Sequence, residues 1–247
     1  MNNVTEKTFS VIGFGRFGKL WATHLSRVNR IYIHTRNMET ELINNDNFYF
    51  VPLKKALQSD FIFLTIPINQ MESFLKNYGN MIKPGAVLID CASVKVKLID
   101  WAMRYLHNGV EYIATHPLFG PDSAAQSLKN HKIVVIPVRV SYGNLNLFKQ
   151  ILTRQFRLHV LRMSAEEHDR MMAYNLSLVH LIGRSLHNMK IENLSLKMNN
   201  LDGLLKISTI AGNDTEELFI DMNKFNPYAE EVRNKFFNHL QQLLKYL

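Results

Sequence analysis

Short apolar runs alternate with helical patterns over the first two thirds of this chain. Uninterrupted apolar runs bounded by turn residues are typical of buried strands, whereas apolar positions three or four residues apart indicate helices. Strands are predicted at residues 9–12, 31–33, 48–50, 60–66, 86–90 and 110–116. Helices predicted at residues 16–28 and 93–106 alternate with them, which indicates an α/β fold with a doubly wound parallel sheet covered on both faces. Residues 133–138 and 158–161 are predicted to extend this sheet.

The pattern changes at Ser164, where a capping box begins: Ser164 caps a helix, and Glu167 follows three residues later. Residues 164–190 contain no proline and few strand formers, which predicts one long helix. We therefore predict an α/β domain at residues 1–163 and an all-helical domain at residues 164–247.

The predicted second domain is short for a solitary domain. Its later helices are separated by breaks near residues 199–200, 212–214 and 226–227. Its apolar content favours packing against a second copy, so we expect a homodimer through the C-terminal helices.

The amino-acid composition and the length of the apolar runs indicate in which cellular compartment the protein is expected. Apolar residues make up 47% of the 247 residues, enough for a full core, and the single cysteine, Cys91, excludes an internal disulfide. The longest apolar run, residues 61–68, contains Pro67 and is too short to span a bilayer. The first residues lack the basic and apolar segments of a signal peptide. We therefore expect a cytoplasmic protein that does not bind a membrane.

The net charge of +8 raises the question of an anionic partner. The basic residues are scattered rather than clustered with aromatic residues, which argues against nucleic-acid binding. A basic protein also attracts anionic small molecules. A phosphorylated dinucleotide and a small-molecule substrate that bears a carboxylate both suit this charge.

Residues 13–18 form the pattern G-x-G-x-x-G between a predicted strand and a predicted helix. In that position the first glycine permits a tight turn, the second lets a pyrophosphate approach, and the third allows close packing of helix and strand. This pattern predicts a dinucleotide site of the Rossmann type, with phosphates bound at the start of the helix. The predicted cofactor-binding residues are Gly13, Phe14, Gly15, Arg16, Phe17, Gly18, Thr35, Arg36, Thr65, Ile66 and Pro67.

The residues at the end of the second predicted strand indicate whether the cofactor is NADP or NAD. NAD sites usually carry an acid there, whereas residues 34–37 are His, Thr, Arg and Asn. Arg36 can pair with a 2′-phosphate and Thr35 can donate a hydrogen bond to it, so we favour NADP over NAD. The alternative is that Arg36 is a solvated surface residue. Residues 65–67 are assigned to the cofactor by their position alone.

His116 ends a predicted strand and is followed by a stiff segment, Pro-Leu-Phe-Gly-Pro-Asp-Ser. An imidazole held at a strand end is a candidate general acid or base near neutral pH. Ser93 follows the neighbouring strand, where it can cap the next helix, reach the substrate, or do both. Lys95 is either a solvated lysine or a cation near the site.

On the predicted long helix, Asp169 and His180 fall within about 20° of one another at about 100° per residue, although they lie about 16 Å apart along the axis. Arg184 lies one turn beyond His180 and can bind a carboxylate bidentately. This helix edge is therefore a candidate substrate site, and salt bridges at a helix interface are the alternative. We find no pair of histidines and acids with metal-ligand spacing, so no metal is expected.

Four segments in this order resemble the prephenate/arogenate dehydrogenase family: the glycine pattern, residues 90–95 (Asp-Cys-Ala-Ser-Val-Lys), residues 116–122 (His-Pro-Leu-Phe-Gly-Pro-Asp) and residues 167–170 (Glu-His-Asp-Arg). Residues 34–36 and 178–184 are most similar to the plant-type arogenate dehydrogenases. The similarity covers nearly the whole chain. The second and third segments are quite specific together, whereas the glycine pattern alone is not.

The resemblance implies an enzyme of tyrosine biosynthesis that oxidises and decarboxylates a cyclohexadienol, with arogenate slightly favoured over prephenate. Hydride would leave the ring carbon that bears the hydroxyl and go to the nicotinamide. His116 would accept the hydroxyl proton, and Ser93 would orient that hydroxyl. His180 matches the second active-site histidine of the family, which is expected to contact the substrate, and Lys95, Asp169 and Arg184 are further substrate-binding candidates.

This chain departs from the family in two places. Many bacterial prephenate-specific members carry an arginine on a later helix that binds the side-chain carboxylate, but residues 204–211 contain none. Lys206 or Arg184 would replace it, or recognition would follow the plant-type group. Residues 196–202, where that group helps to choose between the substrates, align poorly.

Two other functions fit parts of the pattern. A β-hydroxyacid or imine reductase of similar build would need a catalytic lysine or aspartate on the long helix, where Asp169 and Arg170 supply no clear lysine. A non-catalytic NADP-binding regulator would bind NADPH tightly and show no turnover.

Overall fold

The computed structural model of the chain describes residues 6–36 and 45–247. The chain folds into two compact units. The first comprises Met1–Ser93 and Leu98–Ser164, and the second comprises Val94–Lys97 and Ala165–Leu247. A short segment that follows Ser93 in sequence therefore belongs to the helical unit.

The first unit is built on a sheet that has eight strands in the described part of the chain, in the order β3-β2-β1-β4-β5-β6-β7-β8. The strands are β1 (Phe9–Ile12), β2 (Ile31–His34), β3 (Phe48–Phe50), β4 (Phe61–Leu64), β5 (Val87–Asp90), β6 (Glu111–Pro117), β7 (Lys132–Arg139) and β8 (His159–Leu161). All neighbours are parallel except β6 and β7. The predicted doubly wound parallel sheet is confirmed, apart from the antiparallel pair β6–β7.

Helices connect these strands: α1 (Arg16–Leu25), α2 (Leu53–Ala56), α3 (Ile68–Tyr78), α4 (Val96–Tyr105), α5 (Pro121–Ala124) and α6 (Tyr142–Gln150). All four residues of β4 are buried, as expected for a parallel strand covered on both faces. In the core the rings of Phe9 and Phe61 stack with centroids 5.3 Å apart. The strand order reverses between β1 and β4, and ligands of such sheets bind at the carboxyl ends of the strands there.

The second unit is helical. Its helices are α7 (Ala165–Met172), α8 (Val179–Asn188), α9 (Asp202–Asn213), α10 (Glu216–Lys224) and α11 (Ala229–Leu244). A π-helical segment, Ala173–Leu178, joins α7 to α8. The long helix predicted over residues 164–190 is present from Ala165 to Asn188, but it is not regular, because the hydrogen bonds of its π turn span one residue more than those of an α turn.

Glycine allows close contact between α8 and α9. A Cβ on Gly183 would lie 2.7 Å from the Ala211 Cβ and from the Ile207 carbonyl oxygen. Helix α11 exposes several large apolar side chains: Phe237, Leu240, Leu243 and Leu244. The homodimer stays a prediction. Within residues 6–36 and 45–247, no helix has both the length and the apolar character needed to cross a membrane.

Candidate active site

Gly13 and Gly18 fix the loop between β1 and α1 through close backbone contacts. Gly13 has a φ of +101°, a left-handed conformation that favours glycine, and a Cβ there would lie 2.8 Å from the Thr65 carbonyl group. A Cβ on Gly18 would overlap the carbonyl oxygen of Gly13. The loop is therefore folded tightly against the end of β4.

Gly15 leaves open space in front of α1. A Cβ at this position would meet no atom within 4 Å. No side chain caps the start of α1, and its first turn carries no acidic residue. Backbone amides at a helix start bind phosphates when no acid competes for them. The residues present therefore fit the pyrophosphate of a dinucleotide.

The aromatic side chains of the loop are used for packing. The ring of Phe14 meets those of Phe48 and Phe50 edge-on, with centroids 5.9 Å and 5.4 Å away. The ring of Phe17 stacks on Trp21 at 6.0 Å. This packing favours cofactor contacts through the backbone of Phe14 and Phe17.

Arg16, between the glycines, forms an ion pair within the first unit. Its Nη2 lies 2.9 Å from Oδ1 of Asp122, which belongs to the short helix after the His116 segment. Both side chains are about half exposed, and such pairs contribute little stability. The pair connects the glycine loop with the segment that follows His116.

Residues 34–36, at the end of β2, present the predicted cofactor-selecting side chains. Arg36 is exposed, and its Nη2 donates a hydrogen bond to Oε1 of Gln70 in α3 at 2.8 Å. Nδ1 of His34 lies 3.1 Å from the Val51 carbonyl oxygen, while Thr35 is partly buried. Asn37 lies outside the described residues. The described side chains at this strand end include a cation and no acid.

The last two cofactor candidates follow Thr65 at the end of β4. The Ile66 side chain lies 2.9 Å from the position of a Cβ on Gly13, and Pro67 immediately precedes α3. Both residues therefore stand beside the glycine loop, at the point where the strand order reverses.

His116 and Ser93 follow neighbouring parallel strands at the same edge of the sheet. The register pairs Asp90 of β5 with Ala114 of β6, two residues before His116. The His116 side chain is 8% exposed. Ser93 lies three residues beyond the end of β5. Because the carboxyl ends of parallel neighbours meet at one edge, the sheet brings these two predicted catalytic residues to the same edge.

The Ser93 hydroxyl has no role in holding the described structure together. Its Oγ is buried and forms no hydrogen bond with any described residue. Helix α4 begins three residues later, at Val96, and the Ser93 hydroxyl accepts no hydrogen bond from its amides, so the prediction that Ser93 caps this helix was wrong. A buried hydroxyl without a partner is rare, and a bound ligand is one way to satisfy it.

Asp90 shapes the backbone that leads to Ser93. Its carboxylate accepts a hydrogen bond from the Tyr112 hydroxyl at 2.7 Å and another from the Ala92 amide at 3.0 Å. Burial raises the pKa of the Tyr112 phenol well above its ordinary value, and the charge of Asp90 raises it further. The phenol therefore stays protonated and continues to donate to Asp90.

In the second unit, Asp169 binds the backbone at the start of α4. Its Oδ1 accepts a hydrogen bond from the Lys95 amide at 2.8 Å, and its Oδ2 accepts one from the Val96 amide at 2.9 Å. Nδ1 of His168 lies 2.7 Å from Oδ1 of Asp169. Both Asp169 oxygens thus already have backbone partners. The substrate contact assigned to Asp169 stays a prediction.

Lys95 is fully buried. The alternative prediction that it is a solvated lysine was therefore wrong. Its role near the substrate stays a prediction.

His180, a predicted substrate-binding residue, is buried in the second unit. Its Nε2 lies 3.6 Å from Oδ2 of Asp214, while its buried Nδ1 has no hydrogen-bond partner among the described residues. Burial lowers the pKa of His180; the Asp214 charge raises it, and the Arg184 charge lowers it. Burial thus favours the neutral imidazole. Its Nδ1 is available for a hydrogen bond.

Arg184 also contacts the residues that follow α9. Its Nη2 donates a hydrogen bond to the Asp214 carbonyl oxygen at 2.6 Å, and its guanidinium lies 5.0 Å from the centroid of the Phe219 ring. Its Nε is buried without a partner among the described residues.

Asp169 and His180 do not share the regular helix edge that was expected. The π-helical segment between them breaks the rotation of 100° per residue, and the two side chains have different partners. Sequence reasoning missed the roles of His168 and Asp214. The adjacency of His168 to Asp169 was visible in the sequence, whereas nothing in the pattern marked Asp214 as a partner of His180.

Comparison with known proteins agrees with these features. Residues 34–155 match the family model described as prephenate dehydrogenase, nucleotide-binding domain. Arogenate dehydrogenase 1 of Arabidopsis thaliana is 25% identical over 246 residues, covering 96% of this chain and 38% of the relative. A probable arogenate/prephenate dehydrogenase of Methanocaldococcus jannaschii is 26% identical over 97% of this chain and 56% of the relative.

This chain belongs to the prephenate/arogenate dehydrogenase family. Its fold resembles that of A. aeolicus prephenate dehydrogenase, solved in complex with hydroxyphenyl propionate and NAD⁺. That likeness has a TM-score of 0.72 and an identity of 22%, and it covers 97% of this chain and 91% of the other.

This member of the prephenate/arogenate dehydrogenase family covers only part of the length of these relatives, and one of its helices differs from that of many bacterial members. It spans 38% of the Arabidopsis relative and 56% of the archaeal one. Residues 204–211, which lack the arginine of many bacterial members, lie in α9, and Lys206 there is exposed. Among the residues that the structure describes, no group of three or more histidine, cysteine or acidic side chains is arranged to hold a metal ion.

Proposed function

We propose that this chain is an arogenate or prephenate dehydrogenase that uses NADP, with arogenate the favoured substrate. The observation that carries the proposal is the buried, unbonded Ser93 hydroxyl at the sheet edge where β6 presents His116. The names of the Arabidopsis and archaeal relatives support this reaction class.

In the proposed reaction, His116 accepts the proton of the substrate hydroxyl, and Ser93 orients that hydroxyl. A bound dinucleotide would supply the hydride acceptor, and loss of a hydride from the carbon that bears the hydroxyl turns it into a carbonyl carbon. The bond to the ring carboxylate then breaks, carbon dioxide leaves, and the released electron pair completes the aromatic ring. The carbonyl oxygen becomes a phenol oxygen and takes up a proton. General bases of this kind contribute about 10²- to 10⁴-fold to the rate.

The cofactor proposal rests on two features of the first unit. The open space at Gly15 and the acid-free start of α1 suit a pyrophosphate. Arg36, exposed at the end of β2, suits the additional 2′-phosphate of NADP. The structure of A. aeolicus prephenate dehydrogenase was solved with NAD⁺. The preference proposed for NADP therefore rests on the end of β2, where Arg36 and Thr35 stand and the described side chains include no acid.

The second unit supplies the proposed substrate-binding residues. His180 offers a neutral imidazole whose Nδ1 is unused. Arg184 offers a cation for a substrate carboxylate, with its Nε still without a partner among the described residues. Lys95 is proposed as a buried cation near the substrate, whereas Asp169 binds the backbone at the start of α4.

A four-way assay tests the proposal: arogenate and prephenate, each with NADP and with NAD, while reduced cofactor and released carbon dioxide are measured together. We expect equal amounts of both products, with the highest kcat/KM for arogenate and NADP. Tight NADPH binding without turnover in any arm would instead support a regulator. Oxidation of β-hydroxyacids without release of carbon dioxide would support the other dehydrogenase class.

A further inference from the structure

We propose that Asp169 is a positioning residue that holds Ser93 in place through the backbone at the start of helix α4. This inference rests on the proposed function, because it assumes that Ser93 orients the substrate hydroxyl. Asp169 itself touches no reacting atom in this proposal. It acts on residues 95 and 96, which follow Ser93 closely in sequence.

The carboxylate of Asp169 takes the place of a helix cap. The first amides of a helix have no partner within the helix and need an outside acceptor. At α4 the two oxygens of Asp169 accept hydrogen bonds from the Lys95 and Val96 amides, at 2.8 Å and 2.9 Å. The acceptor thus comes from a distant part of the sequence, rather than from the serine that precedes the helix.

Asp169 is itself held rigidly. Its side chain is fully buried, and so is that of His168, whose Nδ1 lies 2.7 Å from Oδ1 of Asp169. The Asp169 carbonyl oxygen accepts a hydrogen bond from Nδ2 of Asn226 at 2.8 Å. A buried carboxylate fixed on several sides is a firm anchor for the backbone that it binds.

This arrangement explains why the Ser93 hydroxyl is unused. Lys95 lies two positions after Ser93 in the sequence, and a segment of that length spans at most about 7 Å. Any shift of the Lys95 amide therefore moves Ser93 as well. With Asp169 acting as the cap, the Ser93 hydroxyl is left for a ligand. Displacing a positioned group by about 1 Å can lower a rate about 10²-fold.

The substitution Asp169→Asn tests the positioning role. Asparagine has nearly the same shape, but its amide group presents a donor to one of the two backbone N–H groups. We expect kcat to fall about 10- to 100-fold, while the Kd for NADPH, which the first unit binds in this proposal, is unchanged. An unchanged kcat in a folded Asp169→Asn protein would overturn the inference.

A double-mutant cycle with Ser93→Ala distinguishes positioning from general structural damage. If Asp169 acts through Ser93, Asp169→Asn lowers kcat no further once the serine hydroxyl is gone, because the two residues then act as one unit. If the two losses multiply, the inference is overturned. If Ser93→Ala alone leaves kcat unchanged, the proposed role of Ser93 falls, and the inference falls with it.

Two further variants make the cycle decisive. Ser141→Ala removes the side-chain cap of α6, where Ser141 accepts a hydrogen bond from the Asn144 amide, and it should leave kcat unchanged in both backgrounds. If Asp169→Asn does not fold, His168→Gln is the variant to test instead, because it removes the imidazole that contacts the Asp169 carboxylate and leaves that carboxylate in place. Its smaller loss of kcat should likewise vanish in the Ser93→Ala background, and a loss that persists there would overturn the inference.

Discussion

The hydroxyl group of Thr65 donates a hydrogen bond to the carbonyl oxygen of Gly13 at 2.7 Å. This bond joins the end of β4 to the first glycine of the loop that precedes α1. A Cβ on Gly13 or Gly18 would also collide with atoms of this junction. The junction therefore fixes the position of Gly15, whose surroundings are open.

The glycines of this loop should differ in what they contribute. Gly15→Ala should leave the free energy of unfolding nearly unchanged, because the new Cβ meets no atom within 4 Å. It should weaken NADPH binding at least about tenfold, because the methyl group occupies the space proposed for the pyrophosphate. Gly18→Ala should instead destabilise the protein by about 1–3 kcal/mol, since its Cβ overlaps the Gly13 carbonyl oxygen.

Denaturant unfolding and NADPH titration of the same variants check this difference. Gly143→Ala is a matched control, because a Cβ there also meets nothing within 4 Å and Gly143 lies in α6. Both of its measurements should match the unsubstituted protein. Unchanged NADPH affinity in Gly15→Ala would contradict the proposed position of the pyrophosphate.

Arg36→Ala should weaken the binding of NADP by about 10- to 100-fold while NAD binding changes little. The reason is that hydrogen bonds to a charged group contribute about 1.5–3 kcal/mol, and only NADP carries the 2′-phosphate. Arg30→Ala removes another exposed cation, stacked on Tyr49, and should affect both cofactors equally and weakly. Dissociation constants for both cofactors decide the matter, and equal weakening by Arg36→Ala would refute the assignment.

Ser93→Ala should lower kcat by about tenfold or more without destabilising the protein. The hydroxyl forms no hydrogen bond with any described residue, and removing such a group costs the fold little. Ser59→Ala is the matched control, because the Ser59 hydroxyl is also buried and unbonded among the described residues. Its kcat should be unchanged. Similar turnover in the two variants would show that the Ser93 hydroxyl has no special role.

His180 should make the protein less stable in acid. Its folded-state pKa is lowered from 6.5, mainly by burial. Below about pH 6.5 the unfolded chain therefore binds a proton that the folded chain does not, and the free energy of unfolding falls as the pH drops further. His180→Gln should show a shallower fall between about pH 6.5 and pH 5. An unchanged slope in His180→Gln would contradict this account.

Strand positions were predictable because their physical signal is local. The run at β4 is apolar at every residue and buried at every residue. The glycine pattern likewise indicated the loop at Gly13, because positive φ and close backbone approach both require glycine. The antiparallel pairing of β6 with β7 was not predicted. Strand direction depends on the connection, which apolar runs do not reveal.

The helical half of the candidate site was harder to predict. The pattern of apolar residues does not indicate the π-helical segment between α7 and α8. This segment changes the angle about the helix axis between Asp169 and His180. The pairing of His180 with Asp214 and that of Asp169 with the α4 backbone join residues far apart in sequence. Such contacts follow from tertiary packing, so residue type and spacing alone could not identify them.

Substitution of His116 by asparagine tests the central claim most directly. Asparagine keeps a polar side chain of similar size but cannot accept the substrate proton as imidazole does. Steady-state rates with arogenate and NADP should show kcat reduced about 10²- to 10⁴-fold, with the Kd for NADPH unchanged. His159→Asn, at an exposed position in β8, should retain full kcat. A His116→Asn enzyme that loses only substrate affinity, with kcat intact, would contradict the role of His116 as proton acceptor.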